Sequence, residues 1–184
     1  MYMFVSAFYS LLKLKLKRSL VKLKIEFKSF YKYKIILQKG QIIDSVDNIK
    51  IGKNFNFSEQ SRLLARGDHA KVVILDNVSL NYNVMINADL GGEIYIGNNV
   101  IIGPNSVLRA SDHNIIKNVN FKESGHTAGK INIEDNVWIA SNVVVTKDVN
   151  VGKNSIVGAG SVVTKDLGPN GIYAGNPAEK ISDL

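Results

Sequence analysis

The chain has 184 residues, of which 45% are hydrophobic and 21% charged, and this suits one globular domain with its own core. It contains no cysteine, which excludes disulfide scaffolds, thiolate metal sites and cysteine nucleophiles and is compatible with a reducing cytoplasm. The net charge of +7 is concentrated in residues 1–39, which contain ten Lys or Arg and one acidic residue, whereas the rest of the chain contains 13 basic and 15 acidic residues. We therefore predict no nucleic-acid partner, because the body of the chain lacks an excess of basic residues.

Residues 1–39 form a basic segment whose hydrophobic period is ambiguous. LKLKLK alternates as a strand does, while Phe4, Phe8 and Leu12 have helical spacing. No stretch has the roughly 18 apolar residues of a transmembrane helix, and the first residues lack the features of a signal peptide. Two interpretations remain open. The segment is a partly helical cap or oligomerisation arm, or it makes a peripheral membrane contact at the inner face of the membrane.

A six-residue repeat dominates the rest of the sequence. From position 133 an aliphatic residue recurs every six positions, at Ile133, Ile139, Val145, Val151, Val157 and Val163. A second series follows four positions later, at Val137, Val143, Val149, Ser155, Ser161 and Leu167. The first rhythm also occurs earlier, at Ile74, Leu80 and Ile86 and again at Ile96, Ile102 and Leu108.

A period of six fits neither a helix nor a simple array of hairpins and is typical of a parallel β-helix. Three hexapeptides make one triangular coil, and coils stack at the spacing of strands in a sheet, about 4.8 Å. Six consecutive matches make an ordinary sandwich of alternating strands a poor alternative. We expect an all-β chain with a β-helix over residues 40–168 and a C-terminal segment over residues 169–184.

Two interruptions break the repeat. One is a short bulge over residues 89–93, which contains two glycines, and the other is a loop over residues 109–130. Loops that leave a repetitive fold on one face commonly carry function. The longer loop is of particular interest because it holds two of the three histidines, His113 and His126.

The segments IGNNVIIGPNSVLRASDHNI, GAGSVVTKD and AGNPA resemble the hexapeptide-repeat acyltransferases over residues 72–182. SDHN followed by a repeat containing VWI is similar to polysaccharide and sialic-acid O-acetyltransferases within the maltose and galactoside branch. The resemblance implies a left-handed parallel β-helix, a homotrimer with active sites between subunits, acetyl-CoA as co-substrate and no metal. It also implies that a loop histidine is the catalytic base.

His113 is the candidate base, because acetyl transfer to a hydroxyl needs a proton acceptor near neutral pH. Trp138, the only tryptophan, is predicted to point outward beside the inward Val137. It is either a wall of the active site with its N–H available to an acceptor or oxyanion, or a surface aromatic packed beneath the loop. The resemblance favours the first role, since similar polysaccharide O-acetyltransferases carry a tryptophan at the matching place.

Candidates for binding the acceptor lie around the two interruptions. Asn87 and Asp89 match residues that hold acceptor hydroxyls in similar sugar acetyltransferases. Asp112 is adjacent to His113 and could orient its imidazole. His126 either lines the acceptor pocket or is an ordinary loop residue.

Candidates for binding acetyl-CoA lie in the last coils. Small residues would let the pantetheine arm lie against the backbone, although the geometry of the corners alone could also explain them. Lysines there could neutralise the phosphates of the coenzyme. The candidates are Ala140, Ser141, Gly158, Ala159, Thr164, Lys165, Asn176, Pro177 and Lys180.

The predicted function is therefore an acetyl-CoA-dependent O-acetyltransferase acting on a sugar, in particular a surface polysaccharide or its precursor. Serine acetyltransferase and streptogramin or chloramphenicol acetyltransferase are the enzymatic alternatives, and a non-catalytic binding solenoid is a remote one. A zinc enzyme of the gamma carbonic anhydrase type is disfavoured, because two of the three histidines share one irregular loop.

Overall fold

The computed structural model describes residues 40–184 and the backbone of residues 35–36. The predicted N-terminal segment, residues 1–39, otherwise lies outside the described residues. Within this range the chain contains one short 3-10 helix, Val46–Asn48, and no helix long and apolar enough to cross a bilayer. The strands in chain order are β1 (Ile35–Ile36), β2 (Ile42–Asp44), β3 (Ile49–Ile51), β4 (Phe55–Phe57), β5 (Arg62–Leu64), β6 (Lys71–Ile74), β7 (Ser79–Leu80), β8 (Met85–Asn87), β9 (Glu93–Ile96), β10 (Ile101–Ile102), β11 (Val107–Arg109), β12 (Ser111–His113), β13 (His126–Ala128), β14 (Lys130–Ile133), β15 (Trp138–Ile139), β16 (Val144–Val145), β17 (Val149–Val151), β18 (Ile156–Val157), β19 (Val162–Val163), β20 (Gly171–Ala174) and β21 (Glu179–Asp183).

Three parallel sheets form the faces of a triangular prism. The first sheet has the order β1-β4-β7-β10-β15-β18-β20-β21, the second β19-β16-β11-β8-β5-β2, and the third β17-β14-β9-β6-β3. Because each turn of the chain adds one strand to each sheet, neighbouring strands belong to successive coils. The pairing is parallel throughout these sheets except between β20 and β21. The all-β parallel β-helix predicted from the sequence is confirmed, and its stacked strands agree with the left-handed β-helix of acetyltransferases.

The repeat places its aliphatic residues inside the prism. Ile102 stacks between Leu80 and Ile139, and each is fully buried. Every residue of the two predicted series from Ile133 to Leu167 is at most 3% exposed. The short strands are stable because each coil buries its inward side chains against the coils above and below.

Asparagines form one corner of the prism, between the third and first sheets. Six of them have φ between 53° and 59°, a left-handed conformation that asparagine tolerates better than most residues. Their side chains also hydrogen-bond along the stack, as in Asn136 Nδ2 to Asn154 Oδ1 at 3.0 Å and Asn154 Nδ2 to Asn170 Oδ1 at 2.9 Å. The six residues are Asn54, Asn77, Asn99, Asn136, Asn154 and Asn170.

We expect Asn154→Ala to lower the free energy of unfolding by about 1–2 kcal/mol, because alanine is strained at positive φ and lacks the amide that bonds both neighbours. Asn154→Gly is the matched control, since it loses the same hydrogen bonds without the backbone strain. Its loss should be smaller by about 1 kcal/mol. Denaturant unfolding of the two variants measures the difference, and equal losses would contradict this account of the corner.

The bulge predicted at residues 89–93 is a wide turn between β8 and β9, in which Leu90 and Gly91 have positive φ. It stacks on a similar turn of the preceding coil, where the N–H of Leu90 donates to the carbonyl of Arg66 at 2.8 Å. The same wide turn therefore occurs in two successive coils, and the two turns stack on each other.

The excursion predicted at residues 109–130 is an antiparallel hairpin made of β12 and β13. It leaves the prism at the corner between β11 of the second sheet and β14 of the third. Asn114 links its two arms, since its Nδ2 donates to the carbonyl of Ser124 at 2.8 Å and its Oδ1 accepts from Thr127 Oγ1. The hairpin is thus a defined element that projects from a rigid scaffold.

Candidate active site

The hairpin brings the two loop histidines together. His113 lies directly opposite His126 in the antiparallel register, and the ring centroids are 4.0 Å apart with planes inclined at 41°. Both side chains are exposed. The predicted base is therefore accessible to a hydroxyl substrate and is held against a second imidazole by the pairing of β12 and β13.

Electrostatics favour the neutral form of His126. Desolvation lowers the pKa of His126, and the charges of His113 and Arg109 lower it further. Two adjacent imidazoles resist simultaneous protonation because their charges repel. The lowered pKa therefore favours a neutral imidazole at His126, beside the candidate base.

Two residues at the base of the hairpin were not predicted from the sequence. Arg109, the last residue of β11, donates from Nε to the carbonyl of Ser111 at 2.9 Å. The hydroxyl of Ser111 is buried and has no hydrogen-bond partner among the described residues. The signal that could have identified Arg109 is its position, since it ends the last regular strand before the histidine loop.

The predicted acceptor residues Asn87 and Asp89 lie on β8 and the turn that follows it, and both are 6% exposed. Asn87 Oδ1 accepts the N–H of Asp89 at 3.0 Å. The carboxylate of Asp89 binds Arg66, accepting its backbone N–H at 2.7 Å and its Nε at 3.0 Å. Burial would raise the pKa of Asp89, but these hydrogen bonds and the charges of Arg66 and Arg109 lower it below its usual range.

Asn87 and Asp89 differ in which part of the fold they contact. Asn87 is the register partner of Arg109 on the neighbouring strand. The carboxylate of Asp89, in contrast, bonds to Arg66 and so links two stacked turns. Of the two predicted residues, only Asn87 pairs with the strand that leads into the hairpin.

Asp112 lies on the opposite face of the hairpin from the two histidines, because neighbouring residues of a strand point to opposite sides. It is exposed and paired in register with Thr127. A hydrogen bond to Asp148 raises the pKa of Lys147, and the charge of Asp112 contributes to the same shift. Among the described residues Asp112 therefore forms no hydrogen bond or ion pair with His113, and its charge acts on Lys147 of the neighbouring coil.

The predicted small residues for acetyl-CoA stack at the corner between the first and second sheets. Ala140 and Gly158 donate their N–H groups along the stack to Val157 and Tyr173, at 2.9 and 2.8 Å. Among the backbone hydrogen bonds of residues 40–184, none uses the N–H of Ser141 or Ala159. The corner therefore presents two free amide donors beside small side chains, and this fits a pantetheine arm or a thioester oxygen.

Close packing alone also demands small residues at this corner. A Cβ on Gly103 would lie 2.6 Å from the carbonyl carbon of Ala140, so only glycine fits there. The corner geometry and the coenzyme explanation are thus compatible. The equivalent amides of Glu59 and Tyr82 in earlier coils of the described range also donate no backbone hydrogen bond, so free amides are a property of this corner, and the small side chains are what make those of Ser141 and Ala159 accessible.

The remaining coenzyme candidates lie at the C-terminal end of the stack. Thr164, Asn176 and Pro177 are exposed. The two lysines already have acidic partners: Lys165 Nζ is 2.7 Å from Glu179, and Lys180 pairs with Asp183. These pairs are exposed and therefore weak, so a phosphate could replace either carboxylate.

Trp138 does not meet the hairpin within one chain. It lies on the outer face of the first sheet, half exposed, between Ile101 and Ile156 in register. The outward orientation predicted for it is thus observed. Metal ligands are not grouped in the described part of the chain, where no three His, Asp or Glu side chains are close enough to hold an ion.

Known proteins match this chain over its repeats. Residues 130–165 match the family described as Bacterial transferase hexapeptide (six repeats). The galactoside O-acetyltransferase of Escherichia coli is 39% identical over 108 residues, which are 59% of this chain and 52% of that protein. The polysialic acid O-acetyltransferase of E. coli is 44% identical over 88 residues, 48% of this chain and 29% of that protein. The chain spans about half the length of the first curated relatives it matches.

A solved structure of a galactoside acetyltransferase in complex with coenzyme A has 30% identity and a TM-score of 0.62, and the match covers 79% of this chain and 65% of that chain. The repeat, the stacked fold and these relatives agree. The chain therefore resembles hexapeptide-repeat transferases in its repeats and in its stacked fold.

Proposed function

We propose that the protein transfers an acetyl group from acetyl-CoA to a hydroxyl of a sugar, in particular of a surface polysaccharide or its precursor. The observation that carries the proposal is the accessible His113, held by a hairpin on a transferase-type β-helix. The similarity to galactoside and polysialic acid O-acetyltransferases supports a sugar hydroxyl as the acceptor. The coenzyme A complex of a structural relative supports the donor.

The residues of the chain suit this chemistry. Acetyl-CoA, when bound, supplies the acetyl group as a thioester. One imidazole nitrogen of His113 takes the proton of the acceptor hydroxyl as its oxygen bonds to the carbonyl carbon. The free amide of Ser141 or Ala159 is a donor of the kind that stabilises the developing oxyanion. The imidazolium then returns the proton to the sulfur as the carbon–sulfur bond breaks, giving an acetyl ester and the coenzyme thiol.

A complete site requires more than one copy of the chain. The hairpin leaves the prism at the corner between the second and third sheets. The corner of small residues (Ala140, Ser141, Gly158 and Ala159) lies between the first and second sheets, and Trp138 lies on the first sheet. The hairpin tip also exposes apolar side chains, with Ile115 at 90% and Phe121 at 62% exposure, and these are suited to contact a neighbour. Both observations support a homotrimer whose active sites lie between subunits.

We also propose a cytoplasmic location near the inner face of the membrane. The concentration of ten basic residues in residues 1–39 supports contact with anionic lipid, close to lipid-linked precursors. The lack of cysteine is compatible with a reducing compartment.

Release of coenzyme thiol from acetyl-CoA, followed over a panel of acceptors, tests the proposal. We expect turnover with monosaccharides or oligosaccharides and at least about tenfold lower kcat/KM with serine, chloramphenicol and a streptogramin, a difference of about 1.4 kcal/mol in transition-state binding. Sedimentation of the same sample should give a trimer. Preferred use of serine or an antibiotic would contradict the sugar assignment, and coenzyme binding without transfer to any acceptor would indicate a binding solenoid.

A further inference from the structure

Arg109 is placed to face a substrate at the hairpin. It ends β11, and its half-buried side chain reaches the hairpin base, where Nε donates to the carbonyl of Ser111 at 2.9 Å. It is near enough to the histidine pair for its charge to lower the pKa of His126. The anchored Nε fixes the guanidinium while its two terminal nitrogens stay available as donors.

No carboxylate of residues 40–184 lies within ion-pair distance of Arg109. Its neighbours differ in this respect. Lys130, which follows the hairpin, is 3.2 Å from Glu93, and Lys147 on the neighbouring coil is 2.8 Å from Asp148. The charge of Arg109 contributes to the lowered pKa of Asp89, but the carboxylate of Asp89 is bonded to Arg66.

Among the described residues, no acid at the hairpin base is bonded to Arg109. Asp112 lies on the strand face opposite the histidines and its charge acts on Lys147, while Asp89 is bonded to Arg66, which also lies 3.9 Å from Asp44. The face that remains carries the guanidinium of Arg109 and two imidazoles, and it has no free acid. A half-buried guanidinium whose terminal nitrogens contact no carboxylate attracts a ligand of the opposite charge.

We infer that Arg109 binds a carboxylate of the acceptor, so that the preferred acceptors are acidic sugars. The inference rests on the proposed function and deepens it by naming the substrate class. With Nε engaged by Ser111, the terminal nitrogens offer two parallel N–H donors, a geometry that matches the two oxygens of a carboxylate. A sugar acid carries hydroxyls and a carboxylate on one ring, so it can contact His113 and Arg109 together.

The test compares methyl galacturonide with methyl galactoside, which share the C2, C3 and C4 hydroxyls and differ at C6, where the acid carries a carboxylate in place of the primary hydroxyl; transfer to the shared ring hydroxyls is compared. The full chain should acetylate the acid with a kcat/KM at least about tenfold higher, the value of one hydrogen-bonded charge. Arg109→Gln should reduce this ratio to near one, chiefly through the KM for the acid, and Arg109→Lys should retain part of it. Lys117→Gln removes the same charge from the exposed hairpin tip and should leave the ratio unchanged.

Galactose 6-phosphate separates a carboxylate site from a general anion site, because its phosphorus lies two bonds further from the ring than the carboxylate carbon of the acid and so cannot occupy the same position when a ring hydroxyl contacts His113. A preference for the phosphate over the acid would overturn the carboxylate assignment. Equal use of acid and neutral sugar by the unmodified chain would overturn it as well, while the proposed acetyl transfer to sugars would stand.

Calorimetric titration of the acid onto the unmodified chain and onto Arg109→Gln gives a readout that does not need turnover. Binding that weakens at least about tenfold in the variant supports the role of Arg109, even if no sugar is acetylated and the proposed function fails. Equal binding by the two proteins overturns it.

Discussion

Replacement of His113 by alanine is expected to reduce kcat for acetyl transfer by about 10²–10⁴-fold, the contribution of a general base. The alcohol acceptor keeps its proton until it attacks, so removal of the imidazole removes the group that takes this proton. The KM for acetyl-CoA should change little, because the corner of small residues that we propose for the coenzyme lies at another edge of the second sheet. Steady-state kinetics of thiol release measure both quantities.

His69→Asn is the matched control for this prediction. His69 is exposed, lies in the turn before β6 and has φ of 65°, a conformation that asparagine also adopts. The control should retain full turnover. If His113→Ala also retained turnover with unchanged oligomeric state, His113 would not be the base.

The core of the fold could be predicted because its signal is local. Ile133, Ile139 and Val145 are six residues apart, and the structure buries all three completely in successive faces of one coil. A parallel stack places chemically similar side chains on top of one another, so one aliphatic position per hexapeptide specifies a face of the prism. The corner asparagines follow the same logic, since positive φ restricts the choice of residue.

For the candidate site, the sequence predicts which residues take part but not which of them contact one another. The apposition of His113 and His126 depends on the register of β12 and β13, and no regular alternation in residues 114–125 specifies that register. The partner of Asp89 is Arg66, 23 positions earlier, and it becomes a neighbour only because two irregular turns stack. Pairing of Lys165 with Glu179 likewise depends on how the final strands close the stack. Each contact arises from how strands or turns pair or stack in three dimensions, which the local sequence pattern does not specify.

Ile102→Ala is expected to have the largest effect on stability, lowering the free energy of unfolding by about 2–5 kcal/mol. The side chain is fully buried between Leu80 and Ile139 of adjacent coils. Truncation leaves a cavity in the middle of a ladder, and backbone pairing on both sides prevents the coils from closing it. Thermal unfolding at matched protein concentration should show a midpoint lower by at least about 5 °C.

Ile101→Ala provides the control because it removes the same atoms from the adjacent residue of the same strand. Ile101 points outward, is 47% exposed and has Ser79 and Trp138 as its register partners. Its loss should cost less than about 1 kcal/mol, since little apolar surface leaves water there on folding. The difference between the two variants isolates the inward position from strand propensity and residue type. Similar losses at both positions would contradict the assignment of Ile102 to the interior ladder, and with it the alternation that orients every outward side chain of the candidate site.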